Sequence, residues 1–148
     1  MILVDYPKVR FNFEFLETLD AGIELIGGEV KSLKGKHGSL EGAYISVRGN
    51  EAYIVGMQIP PYQPKNMPEG YDPRRLRRLL LTKKEIASLI GKEKEGRTAV
   101  VPVEVFLKNN KIKIKIAIAR GKKKFDKRET IKRREDDRSV RRVLKGER

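Results

Sequence analysis

Between Lys111 and Arg120 the chain reads KIKIKIAIAR, with Ile112, Ile114, Ile116 and Ile118 at every second position and Lys111, Lys113 and Lys115 between them. Successive side chains point to opposite faces of a strand, so a period of two predicts a strand with one apolar and one charged face. The apolar, β-branched run Ala99–Leu107 predicts the strand before it, with Asn109-Asn110 as the turn between the two. Phe11, Phe13 and Phe15 alternate with Asn12, Glu14 and Leu16, which predicts a strand with its aromatic residues facing inward. Asp20-Ala21-Gly22 reads as a turn, and Ile23–Ile26 as a second short strand broken by Gly27-Gly28. Ala43–Val47 and Ala52–Gly56 read as a hairpin about Arg48-Gly49-Asn50.

Helical spacing is confined to two places. Val30 and Leu33 support a helix of one or two turns ended by Gly35. Ile86, Leu89 and Ile90 follow Thr82-Lys83-Lys84-Glu85, a capping box in which the Thr82 hydroxyl and the Glu85 carboxylate satisfy each other's backbone amides, and Gly91 is expected to close that helix. Five of the seven prolines fall within residues 58–73, which read as a rigid surface loop. With strands in the majority and turn signals recurring about every ten residues, the pattern favours a small antiparallel barrel, because closure removes exposed sheet edges. A parallel α/β fold is not expected, because too few helices lie between strands. The expected class is mainly β with short helices.

Composition adds a partner to this picture. The 148 residues suffice for one domain, and their net charge of +14 calls for a polyanion, nucleic acid before an anionic membrane surface. The chain has no Cys and a single His, His37, between Lys36 and Gly38, and no clustered carboxylates. No metal site, cofactor or nucleophile–base pair is therefore expected, and neither a P-loop nor a dinucleotide fingerprint is present. An enzyme is not expected; a carboxylate-dependent nuclease is the one catalytic reading the residues leave open. No apolar run reaches the length of a membrane span, and the first residues lack the basic and apolar regions of a secretory signal. A cytoplasmic monomer with no membrane partner is the expectation.

The charge is unevenly placed. Residues 121–148 hold thirteen Lys or Arg against six Asp or Glu, half the net charge in under a fifth of the length. Their apolar residues, Phe125, Ile131, Val140, Val143 and Leu144, are too few to offset the entropy of ordering. The segment lacks Pro, and Glu129/Arg133 and Asp137/Arg141 are spaced for helical ion pairs. It is expected to be disordered alone and helical against a polyanion, which divides the chain into a barrel, 1–120, and a basic tail, 121–148. Within the barrel, Arg74, Arg75, Arg77, Arg78, Lys83 and Lys84 crowd one eleven-residue stretch, Lys31, Lys34 and Lys36 follow the first helix, and Tyr62 and Tyr71 lie in the proline loop. Cations supply nonspecific affinity for phosphates, and aromatic rings can stack on unpaired bases, a common route to RNA. Glu29, an acid among these cations, is either a local partner for Lys31 or Lys34 or an acceptor for a base edge or an amide; its replacement by Ala is expected to weaken RNA binding without unfolding the barrel.

Four motifs in register carry a family resemblance. Ala21-Gly22-Ile23 with Gly28-Glu29-Val30-Lys31-Ser32-Leu33-Lys34 resembles the "AGI…GxEVKSLR" signature of the small protein B family, the SsrA-binding proteins. Ile59-Pro60-Pro61-Tyr62 is similar to its "I-x-P-Y". Asp72-Pro73 with Arg77–Leu81 and Lys83–Ile86 is similar to its "DP…RKLLLhKxEI", and Ala119–Arg128 to its "A(K/R)GKKxYDKR". The resemblance spans roughly residues 9–145. It implies an OB-like barrel with flanking helices that binds the tRNA-like domain of tmRNA, and a tail that enters the vacant mRNA path and decoding centre of the small ribosomal subunit during trans-translation. By position it implies RNA contacts at Glu29, Lys31, Ser32, Lys34, Arg77, Arg78, Thr82, Lys83 and Lys84, to which the basic and aromatic pattern adds Tyr62 and Arg74. It implies ribosomal RNA contacts at Gly121, Lys122, Lys123, Lys124, Phe125, Asp126, Lys127, Arg128, Val143 and Leu144, to which the basic tail as a whole adds Ile131, Arg133 and Arg134. The chain departs from the family pattern at Tyr6 and Val9, at Gly42-Ala43, at Gly56-Met57-Gln58 and at Thr82. The alternative reading is a generic OB-fold ribosomal or translation-factor protein that coats structured RNA without tmRNA specificity.

Overall fold

The computed structural model describes residues 1–122. The expectations attached to Lys123, Lys124, Phe125, Asp126, Lys127, Arg128, Ile131, Arg133, Arg134, Val143 and Leu144 lie outside the described residues.

Seven strands form one antiparallel sheet: β1 (Ile2–Asp5), β2 (Phe13–Ile23), β3 (Tyr44–Arg48), β4 (Glu51–Val55), β5 (Arg77–Leu80), β6 (Ala99–Lys108) and β7 (Lys111–Gly121), in the spatial order β1-β6-β7-β2-β5-β4-β3. The sheet curls until β3 lies against β6, although the two are not hydrogen-bonded neighbours. Among the described residues three α-helices flank it, α1 (Pro7–Asn12), α2 (Gly27–Lys34) and α3 (Lys83–Lys94), with one 3-10 turn at Pro64–Asn66. The antiparallel barrel architecture with flanking helices is thus the one the alternation predicts.

The opening strand shows how the sequence builds the interior. On β7, Ile114, Ile116 and Ile118 enter the main core with Ile23, Leu33, Ile54, Leu79 and Leu89. On its other face the lysines stop at Lys115, whose ammonium lies 3.7 Å from Glu104, and Ala117 and Ala119 join a second core with Val9, Val101 and Val103, half-covered by Tyr6, Phe13 and Phe15. The alternation ends where α1 covers the sheet. The β6–β7 turn holds Asn109 at φ 50° and Asn110 at φ 63°, the pair of left-handed residues a two-residue hairpin needs, and Asn tolerates that region better than most side chains.

Several elements differ from the expectation. Phe11 and Asn12 belong to α1, not to a strand, because Pro7 starts a helical turn that buries Val9. Asp20-Ala21-Gly22 is not a turn: β2 runs unbroken to Ile23, and Ile23–Ile26 is not a separate strand. Gly22 serves packing there, since a Cβ on it would stand 3.2 Å from the Leu80 Cβ of the neighbouring strand. Gly91 does not end α3, which continues to Lys94 before Gly96 turns at φ 76°. β1, β5 and α1 were not foreseen, β5 because an arginine occupies one of its inward positions. Pairing also reaches past residue 120. Gly121 stands opposite Phe13, and the Lys122 amide donates to the Asn12 carbonyl at 2.9 Å.

Candidate nucleic-acid interface

The basic stretch Arg74–Lys84 folds as loop, strand and helix start, and that geometry sorts its charges. In β5 the burial alternates, so Arg77 and Leu79 point inward while Arg78 and Leu80 point out. Arg77 has no exposed surface. Burying a guanidinium is tolerable only if its charge is matched and its donors are used. Glu29, equally buried, matches the charge: Arg77 Nε donates to Glu29 Oε2 at 2.6 Å. The remaining donors reach the carbonyls of Met57 at 2.7 Å, Pro73 at 2.9 Å and Arg75 at 3.2 Å, and the Tyr71 hydroxyl at 3.1 Å. All five N–H groups of Arg77 are thereby satisfied.

Glu29 sits in the first turn of α2 and gathers the surrounding elements. Its Oε1 accepts from the Ile26 amide at 3.0 Å, which closes the helix start. The same oxygen accepts from Arg75 Nη2 at 2.5 Å, and Oε2 from Arg75 Nε at 3.2 Å. The Tyr71 hydroxyl lies 3.0 Å from Oε2 and 2.8 Å from the Ile59 carbonyl. Burial pushes the Glu29 carboxyl up, but the hydrogen bond from Arg75, the Ile26 amide and the bond and charge of Arg77 outweigh it and hold the carboxyl below its ordinary value. For Tyr71, burial first and then the Glu29 carboxylate push the phenol above its ordinary value. The expected partners Lys31 and Lys34 are not the ones Glu29 takes. They lie on the exposed side of α2, while Ser32 is buried on its inner side with its hydroxyl unpartnered among the described residues. Glu29, Ser32 and Arg77 therefore present no surface to a partner in this conformation. Arg75 and Tyr71 complete the cluster and were not among the residues assigned by position; an acid 46 residues before a run of arginines was the only signal in the sequence.

The remaining expected residues are at the surface. Tyr62, 50% exposed, lines a cleft of about 230 Å³ with Lys31, the α2 start at Gly27 and Gly28, and Gln63, Asn66 and Met67. Gly28 admits the Met67 thioether, which would collide with a Cβ there. Arg78 and Lys83 share a second cleft, of about 420 Å³, with Glu51 and the apolar face of α3. Arg78 is neutralised where it stands: its Nε donates to Glu51 at 2.7 Å, with Glu24 at 3.9 Å. Thr82 accepts the Glu85 amide at 3.2 Å as the cap of α3, and Lys84 and Arg74 are exposed. The fold thus joins α2, the proline loop and the segment before β5 around Glu29, and carries Arg74, Arg75, Lys31 and Tyr62 on their outer side. Among the described residues no group of His, Cys, Asp or Glu could hold a metal ion, and no helix is long and apolar enough to cross a membrane.

The departures from the family pattern also find structural uses. The Gly42 amide donates to the Tyr6 hydroxyl at 3.3 Å, so two of the unusual positions contact each other. Val9 is buried in the second core, and Met57 is buried with its carbonyl on Arg77.

Known proteins converge on one group. The family model for SmpB protein matches residues 3–146. The SsrA-binding protein of Trichodesmium erythraeum is 44% identical over 97% of this chain and 92% of its own length. Those of Gloeothece citriformis and Malacoplasma penetrans are 42% and 43% identical over 97% of this chain, covering 93% and 98% of their own lengths. Among solved structures, a chain from "tmRNA-SmpB: a journey to the center of the bacterial ribosome" superposes with a TM-score of 0.67 and 34% identity, over 86% of this chain and 92% of that one.

Proposed function

The chain belongs to the SmpB protein family, and on that footing we propose that it is a tmRNA-binding adaptor of trans-translation, its barrel bound to the tRNA-like domain and its basic tail directed into the vacant mRNA path. The single observation that carries this reading is the match to SsrA-binding proteins across nearly the whole length of both chains. The geometry supports it through the exposed cations Lys31, Lys34, Arg74, Lys83 and Lys84 and the half-exposed Tyr62, held on a rigid barrel. Phosphate contacts supply affinity, and their fixed placement supplies orientation on a folded RNA. Glu29, Arg77 and Ser32 act from inside, setting the positions of α2 and the proline loop. The role is binding rather than catalysis, so no bond is made or broken by this chain. Of the residues named for the decoding centre, Gly121 still belongs to β7 and the Lys122 amide is bonded to Asn12, so the part of the chain directed to ribosomal RNA starts after Lys122.

Binding to the tRNA-like domain and to a random RNA duplex, each at low and high salt, tests the proposal. The adaptor keeps its affinity for the tRNA-like domain better as salt rises, because shape-specific contacts do not depend on counterion release. Equal loss on both RNAs would instead indicate a generic RNA coat.

A further inference from the structure

Two arginines share one carboxylate, and they are not equivalent. Arg77 spends every donor inside the protein. Arg75 spends four of five: Nε and one Nη2 hydrogen on Glu29, the second Nη2 hydrogen on the Glu24 carbonyl at 3.4 Å, and one Nη1 hydrogen on the Leu76 carbonyl at 3.3 Å. Among the described residues one Nη1 hydrogen has no acceptor, on a side chain that is 31% exposed. The charges count the same way. Glu29 and Arg77 cancel, so the cluster carries one uncompensated positive charge, and it sits at Arg75, the member that reaches solvent.

We propose that Arg75 is a phosphate-reading residue of the RNA face, and that the buried Glu29 cluster serves to aim it. This rests on the adaptor reading above. A surface lysine follows its ligand on a flexible stem, and so binds any phosphate lattice about equally well. The Arg75 guanidinium is fixed in plane by the Glu29 carboxylate and two backbone carbonyls. Its side-chain entropy is already spent, so one further bond to a phosphate costs little ordering. A fixed donor also rejects backbones whose phosphates fall elsewhere. Arg75 therefore contributes discrimination between a folded tRNA-like domain and a plain duplex, while Lys31, Lys34 and Lys84 contribute affinity to both. Glu29 is a positioning residue that acts through it.

Arg75→Lys keeps the charge and removes the bidentate fork. With the full-length chain, we expect the variant to lose about tenfold in affinity for the tRNA-like domain and to shift by less than about twofold on a random duplex, with little change in either salt slope because the charge is kept. If the wild-type chain prefers the tRNA-like domain and Arg75→Lys leaves both affinities unchanged, or lowers both alike, the inference is overturned while the adaptor reading stands. If the wild-type chain shows no preference, both fall. Should the variant not fold, as a thermal melt will show, phenylglyoxal modification of the wild-type chain decides: the tRNA-like domain must shield Arg75 and the duplex must leave it reactive, with exposed Arg97 as the reference. Equal reactivity of Arg75 in both complexes overturns the inference.

Discussion

Glu29 and Arg77, 48 residues apart in the chain and both without exposed surface, meet through an Nε–Oε2 hydrogen bond of 2.6 Å. Neither side chain reaches water: Arg77 has Glu29 alone to match its charge, and Glu29 has Arg77 with Arg75 beside it. Removing one partner strands a buried ion, a larger loss than the pair itself contributes. Glu29→Ala should cost about 3–5 kcal/mol of stability in chemical denaturation. This replaces the expectation that the substitution would spare the barrel: Glu29 is an interior residue, not a surface acceptor. A variant that unfolds at the wild-type denaturant concentration would contradict the geometry.

Acid should act through the same group. The folded Glu29 carboxyl lies below its ordinary value of 4.5, so its contribution is fully present above that value and is lost as pH falls through the folded one. The thermal midpoint of the wild-type chain should therefore drop on acidification from neutral to about pH 3, and that of Glu29→Gln, already lower, should drop less. Parallel curves for the two proteins would show that Glu29 is not the titrating group.

At the β6–β7 turn, Asn109 and Asn110 hold positive φ, which a β-branched side chain resists. Asn110→Val should cost about 1–3 kcal/mol, and Asn110→Gly should be neutral or slightly stabilising. Denaturation midpoints of the two variants check this, and the order should not reverse.

Much of this turn, and of the strands beside it, was legible in the sequence, because period-two alternation and an Asn pair are local signals. The Thr82 cap was equally local, and the structure bears it out. What escaped was set by partners far away in the chain. Arg77 looked like one more surface cation, and only Glu29 across the fold makes it a core residue. Gly22 looked like a turn, and only Leu80 opposite explains a glycine in mid-strand. Phe11 looked like a strand position, until Val9 found the second core. For the interface, the family motifs named segments, but composition could not say which of their cations face outward, since burial depends on the pairing of β5 with β2 and β4.

Arg78 provides a further check. Its exposed guanidinium is held by Glu51 at 2.7 Å, so its charge is spent locally. Glu51→Gln should release it and strengthen RNA binding about two- to fivefold at low salt, with a steeper salt dependence. A weakened complex would show instead that Glu51 itself shapes the second cleft.

On the function proposed above, the barrel selects the RNA and the basic tail acts on the ribosome. The most direct test compares the full chain with one ending at Lys122, in tRNA-like-domain affinity and in tagging of stalled chains side by side. Affinity should stay within about threefold while tagging is abolished. If the shortened chain instead loses tRNA-like-domain and random-duplex binding in the same proportion, the tail is a generic source of charge and the division of roles is contradicted.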